Sequence, residues 1–222
     1  MKKIFAICTF LFATLVGCIE NDLPYPVIIP KITSMVVDGA TAVSINSDQR
    51  TVTITLSEPT DIRRVNIREV LFDNEQTTMS WDITGEHDLT SDLSVTLTTY
   101  QDYVWTIKAE QPIERYFTVK GQVGASEIDV ANRRVVTYVN STESKSNITV
   151  TSLKLGASEV TTYSPAISKL KDFTHGAEVI ATAHGLSEKW MIFIEQTETL
   201  VEIKSIDAWT GVAWARATGI AG

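Results

Sequence analysis

Cysteine is nearly absent. The 222 residues contain two, Cys8 and Cys18, both ahead of the region that reads as folded. Cys8 lies inside an apolar leader and Cys18 closes it. The folded chain therefore has no disulfide and must rest on its hydrophobic core. Histidine is almost as scarce: His87, His175 and His184 are all there is. A zinc site needs three or four converging ligands. His87-Asp88 and Asp172 with His175 fall at nearly matching points of a repeat, but the His position differs between the copies, so both read as turn histidines beside an aspartate. No metal and no cofactor is expected. The Walker, dinucleotide-glycine and nucleophile-elbow patterns are missing, and Ser187 near His184 does not make a triad. No apolar run reaches the roughly 20 residues that cross a bilayer as a helix. Basic charge is also in short supply. The balance of 19 Lys and Arg against 27 Asp and Glu leaves −8, which repels phosphate backbones and excludes nucleic acid as a partner.

What the chain does have begins at its first residues. Lys2 and Lys3 precede the apolar run from Ile4 to Val16. Leu15-Val16-Gly17-Cys18 matches the lipobox of bacterial lipoproteins. Residues 1–17 thus read as a processed signal, and Cys18 as the lipid attachment site whose thiol takes a diacylglycerol. Multiple acylation would anchor the chain stably, whereas one chain would hold only marginally. The next residues, Ile19-Glu20-Asn21-Asp22, lack the Asp associated with inner-membrane retention. They resemble the acidic surface-export signals of Bacteroidetes-type lipoproteins. The expected location is the outer membrane, facing the exterior. Pro24, Pro26 and Pro30 make residues 18–30 an extended spacer.

Past the spacer, the sequence repeats itself. Thr77-Thr78-Met79-Ser80-Trp81-Asp82-Ile83 returns as Thr161-Thr162-Tyr163-Ser164-Pro165-Ala166-Ile167, and Asp88-Leu89-Thr90 as Asp172-Phe173-Thr174. Val104-Trp105-Thr106-Ile107 returns as Lys189-Trp190-Met191-Ile192, and each Trp is followed by a Glu-Gln pair, Glu110-Gln111 and Glu195-Gln196. The offset drifts by one residue along the way. A period this long is a whole small domain rather than a solenoid unit.

The periodicity is two. Residues 51–56 and 93–98 alternate strictly, residues 147–155 read as a longer run of the same kind, and Val65 and Ile67 stand two apart as in a strand. Asp38-Gly39, Asn46-Ser47-Asp48 and Asn132-Arg133 mark turns. Strands with one apolar face must pack sheet on sheet. The expected fold is all-β, with two tandem immunoglobulin-like β-sandwich domains at 31–111 and 112–197. The link through Glu110-Gln111-Pro112-Ile113 is short and favours a stiff rod. Residues 198–222, with Trp209 and Trp214, read as the start of a truncated third β module.

Trp105 and Trp190, repeated within apolar strands, read as core anchors. Trp81 differs, because its counterpart is Pro165 and its surroundings are polar. It is the candidate glycan contact, against the alternative of an edge residue packed at the domain rim. Carboxylates are scattered. A glycosidase needs two facing each other about 5–10 Å apart, and short-looped sandwiches are expected to leave little room for such a cleft.

The stretch Thr99 to Ile107, the run Arg115 to Gly124, and Val150 to Gly156 resemble the N-terminal region of Bacteroidetes-type outer-membrane lipoproteins. Those proteins carry a C-terminal domain bearing the name "putative carbohydrate metabolism domain", and no counterpart of it is expected within these 222 residues. Asp207 to Trp214 resembles the start of their next, fibronectin-like module. The resemblance implies a glycan-related surface setting without a catalytic role for these residues. The resulting expectation is a surface-exposed, non-catalytic stalk held to the membrane through Cys18. The alternatives are a glycan-binding accessory lipoprotein of a polysaccharide-utilisation system and an adhesin- or fimbria-type subunit. In that last case a neighbour's strand would fill an open sheet edge.

Overall fold

The computed structural model describes residues 27–197. Cys18, Trp209 and Trp214, and with them the lipid-anchor and third-module expectations, lie outside that range. Among the described residues the chain is all-β, with a single 3-10 turn at Ile167–Lys169.

The first half contains β1 (Ile32–Val37), β2 (Ala40–Asn46), β3 (Thr51–Leu56), β4 (Val65–Phe72), β5 (Thr78–Met79), β6 (Gly85–His87), β7 (Leu93–Thr98) and β8 (Asp102–Glu110). They form a three-stranded sheet, β1-β4-β6, and a five-stranded sheet, β2-β3-β8-β7-β5. All neighbours are antiparallel except β3 and β8. The second half contains β9 (Tyr116–Val119), β10 (Glu127–Asp129), β11 (Arg134–Asn140), β12 (Val150–Lys154), β13 (Thr162–Ser164), β14 (Ala177–Ala183) and β15 (Leu186–Thr197). Its five-stranded sheet, β10-β11-β15-β14-β13, repeats the first order strand for strand, including the parallel pair, here β11 and β15. The smaller sheet is β9-β12, with no counterpart of β6. In its place, Ile148 N–H donates to Lys171 O at 2.8 Å and Phe173 N–H to Lys145 O at 2.8 Å.

The buried apolar side chains form two clusters with no residue in common, one drawn from Ile32 to Ile107 and one from Phe117 to Ile194. Alternation places them. In β3 the buried residues are Val52, Ile54 and Leu56, while the threonines between face outward. Trp105 and Trp190 are fully buried and sit opposite Val95 and Val179 on their neighbouring strands. Residues 147–155 do not alternate throughout. Their apolar positions change parity after Val150, and the pairing of β12 with β9 shifts register between Val150 and Ser152. The bulge returns Leu153 to the same core as Ile148.

The two halves share finer details. Arg50 and Arg133, at the β2–β3 and β10–β11 turns, both have φ of 51°. Their carbonyls accept from the N–H of the residue after each Trp, Thr106 and Met191, at 2.9 Å in both cases. Asp88 accepts from the N–H and hydroxyl of Thr90 at 2.9 and 2.6 Å; Asp172 does the same for Thr174 at 3.0 and 2.6 Å. Each of these turns drops its central residue, Leu89 or Phe173, into the core.

The drift in the repeat has a definite location. Residues 96–104 separate Val95 from Trp105, whereas residues 180–189 separate Val179 from Trp190. The added residue turns the open β7–β8 loop into a two-residue turn, His184-Gly185, and lengthens the β14–β15 hairpin by one pair. His184 and Gly185 have φ of 49° and 77°, the left-handed pair a type I′ turn requires.

Candidate functional site

The lengthened hairpin reaches the other half. Arg63 clasps Asp61 through Nε at 3.0 Å and a terminal nitrogen at 2.8 Å, and that same nitrogen donates to His184 O at 2.7 Å. The Arg63 hydrogen bond holds the Asp61 carboxyl below its usual range, and the carboxylate raises Arg63 in return. The acceptor is the His184 backbone carbonyl and not its ring.

A second set of contacts lies at the exit of the first half. The Gln111 side-chain amide donates to the carbonyls of Ser57, Glu58 and Thr60 at 2.9, 3.0 and 2.7 Å. Two N–H bonds serve three acceptors, so one is shared. Gln111 thereby fixes the loop after β3 against the end of β8. That loop presents Glu58 to the second half. Its carboxylate accepts from Glu114 N–H at 3.0 Å, Lys154 Nζ at 2.9 Å, Ser158 N–H at 2.8 Å and Ser158 Oγ at 2.7 Å. The Lys154 and Ser158 bonds pull the Glu58 carboxyl down to about 2. Both charged side chains are largely covered, at 20% and 15% exposure, so the pair is less screened than a surface ion pair.

Beside these contacts lies a cavity of about 220 Å³, bounded by Ile62, Arg63, Ile113, Ala183, Leu186 and Glu188 among others. Short-looped sandwiches were expected to leave little room for a cleft. The room arises between the halves, lined by the loop after β3 on one side and the β14–β15 hairpin on the other. Its carboxylates are all engaged: Glu58 and Asp61 as above, Glu188 with Arg133 at 3.0 Å. A glycosidase acid must stay protonated near neutral pH. Glu58 and Asp61 are shifted the opposite way.

The histidines lie apart. His87 Nε2 is 2.9 Å from Ile83 O and the ring meets Trp81 edge-on, with centroids 5.5 Å apart. His175 is in the turn before β14, and His184 forms the hairpin tip. Among the described residues no three His, Cys, Asp or Glu converge as a metal site would require. Ser187 Oγ pairs with Thr182 Oγ across the hairpin at 2.8 Å.

Trp81 lies between β5 and β6 and is 39% exposed. Its indole N–H donates to Ser94 O at 3.1 Å. With His87 on one side, the ring is fixed and partly open to solvent. Tyr103 does not join it in a platform: that ring faces the Arg50 guanidinium at 5.9 Å, and its hydroxyl donates to Gln101.

Glu58, Arg63 and Gln111 were not singled out in the sequence. Gln111 had a visible signal, the Glu-Gln pair after each Trp. Glu58 had none, since it sits in the tetrapeptide Ser57-Glu58-Pro59-Thr60, like any polar turn.

No family model and no curated protein matches the chain. A solved structure from Bacteroides thetaiotaomicron described as a "putative glycoside hydrolase" aligns at 14% identity with a TM-score of 0.35. The match covers 55% of this chain and 35% of that one. At this level of similarity neither fold nor activity transfers.

Proposed function

We propose that the chain is a non-catalytic stalk of the bacterial outer surface, anchored through Cys18 and built of two immunoglobulin-like sandwiches. The observation that carries this reading is the joint. Glu58 accepts four hydrogen bonds from the second half, Gln111 locks the loop that presents it, and Arg63 reaches His184. A module that only needs tethering uses a free linker; one that must project something at a fixed distance needs bonds across the joint. Strand order supports the immunoglobulin-like reading. β4 pairs with β6 and β5 with β7, and the last strand lies between its hairpin partner and a parallel early strand. That is the crossing of chain between two sheets found in such sandwiches.

The lipoprotein part of this reading is tested by metabolic labelling with palmitate and by protease treatment of intact cells. Label that disappears in Cys18→Ala, together with cleavage on intact cells, supports it. Label retained by Cys18→Ala removes the anchor, and a protein protected until the cells are broken places it inside.

Trp81 favours a second reading, a glycan-binding accessory lipoprotein. A ring with its N–H bound to Ser94 O and its edge against His87 is held at little further entropic cost. Such a ring suits stacking on a pyranose. Saturable binding on a glycan array that is lost in Trp81→Ala would replace the passive stalk with this reading.

A further inference from the structure

The cavity between the halves carries one cation too many. Every carboxylate at its wall already has a cationic partner: Asp61 has Arg63 at 2.8 Å, Glu188 has Arg133 at 3.0 Å and Glu58 has Lys154 at 2.9 Å. Arg115 lines the same cavity and is half-buried, yet among the described residues it meets no carboxylate within ion-pair distance. Its Nε donates to Leu155 O at 2.7 Å and its Nη1 to Ile113 O at 3.4 Å. Those bonds fix the guanidinium and leave Nη2 without an acceptor among the described residues. A guanidinium stays charged, and a carboxylate is the planar acceptor that matches its fork.

The other donors at the wall are engaged. Thr60 Oγ1 donates to Gly39 O, Thr90 Oγ1 to Asp88 and Thr161 Oγ1 to Ala157 O. The Gln111 amide holds the loop after β3. Much of the remaining wall is apolar: Ile62 from the first half, and Ile113, Ala157, Ala181, Ala183 and Leu186 from the second.

The repeated module does not call for Arg115. Pro30 and Gly39 are spaced as Pro112 and Gly121 are, which sets Thr33 against Arg115. Pro30 O accepts from Trp105 Nε1 at 3.3 Å, whereas Trp190 Nε1 is buried with no hydrogen-bond partner among the described residues. The lead-in segment that serves the tryptophan in the first half lines the cavity in the second, through Ile113 and Arg115.

From this we propose that the cavity binds a small monocarboxylate with an apolar body. Arg115 takes the carboxylate, and the aliphatic wall takes the body. At about 220 Å³ the cavity is smaller than the roughly 300–1,000 Å³ of drug-sized sites, so the occupant has the size of a single ring. A sugar would leave hydroxyls without partners against isoleucine and alanine. A phosphate dianion would need a second unpaired cation. The site goes beyond the stalk reading and does not depend on the lipid anchor.

Titration of the full chain with benzoate, followed through the amide resonances of Ala183 and Leu186, tests it. Benzamide is the uncharged probe of the same shape, and glucuronate the polar carboxylate. The expected result is saturable benzoate binding, at least about ten-fold tighter than benzamide or glucuronate, as a charge-assisted bond in an apolar site gives. Arg115→Gln should reduce benzoate to the level of benzamide, while Lys120→Gln, at an exposed lysine, should change nothing. Ala183→Leu fills the cavity with Arg115 in place and should abolish binding, which keeps the test decisive if Arg115→Gln does not fold. Benzoate that fails to saturate or binds no tighter than benzamide overturns the site. So does binding unchanged in Ala183→Leu or in a folded Arg115→Gln. Glucuronate tighter than benzoate overturns the apolar body.

Discussion

Glu58 and Lys154, 96 residues apart in sequence, meet at 2.9 Å across the boundary between the two halves. This contact is a joint rather than a decoration of the surface, because the same carboxylate also takes both donors of Ser158 and the N–H of Glu114. Three residues from two segments of the second half converge on one side chain of the first.

The acid response of the joint follows from this. The Glu58 carboxyl is lowered from 4.5 to about 2 in the folded chain. A depressed folded value means the contribution is complete above about 4.5 and is lost as pH falls through about 2. The Ser158 amide resonance should therefore stay fixed from pH 7 to 4.5 and move only as pH approaches 2. In Glu58→Gln it should not titrate at all. A midpoint near 4.5 in the unmodified chain would mean that the clamp is not formed.

The two core tryptophans should respond differently to the same substitution. Trp105 Nε1 donates to Pro30 O at 3.3 Å, while Trp190 Nε1 is buried with no hydrogen-bond partner among the described residues. Trp105→Phe strands a buried carbonyl; Trp190→Phe removes an unpaired donor. The area lost is alike, so the difference should be about 1 kcal/mol in favour of Trp190→Phe. Urea unfolding monitored separately in each half reads it, and equal losses would reject the assignment of the Pro30 bond.

The paired Asp turns are folding elements. Asp88→Ala and Asp172→Ala each remove two hydrogen bonds that set the turn around Leu89 or Phe173. Each should lower the thermal midpoint, as loss of a side-chain cap does. Both carboxyls are also held below the usual range by the Thr90 and Thr174 bonds. Their contribution is thus present at neutral pH and fades on acidification, so the cost of either substitution should shrink in acid. A cost that grows in acid would contradict the turn geometry.

Trp81→Ala should be mild. The ring is partly exposed and gives up one bond to Ser94 O and one edge contact with His87. A loss of about 1 kcal/mol is expected, against about 3–5 for Trp105→Ala. Thermal unfolding separates the two, and a large loss would place Trp81 in the core.

Much of the fold was legible because the pattern is local. Val52, Ile54 and Leu56 alternate with threonines, and the copy of each element at a fixed offset exposes the duplication. The one-residue drift was equally visible, but its consequence was not. Only the hairpin geometry shows that the added residue carries His184 to Arg63. The long alternation at 147–155 was misread because a bulge conceals a change of parity. The joint was invisible for a different reason. Glu58 meets its partners through sequence separations of 56 to 100 residues, and no periodicity reports such a contact. Trp81 stands out in the sequence because it breaks the repeat; both it and its counterpart Pro165 lie exposed.

The fixed joint is the centre of this account, and a distance distribution tests it most directly. Spin labels at Asp48→Cys and Ala131→Cys, on the equivalent exposed turns of the two halves, report their relative placement by double electron–electron resonance. A single narrow distribution is expected, broadening in Glu58→Ala. A distribution already broad in the unmodified joint, and unchanged by Glu58→Ala, would show two tethered beads and contradict the stalk.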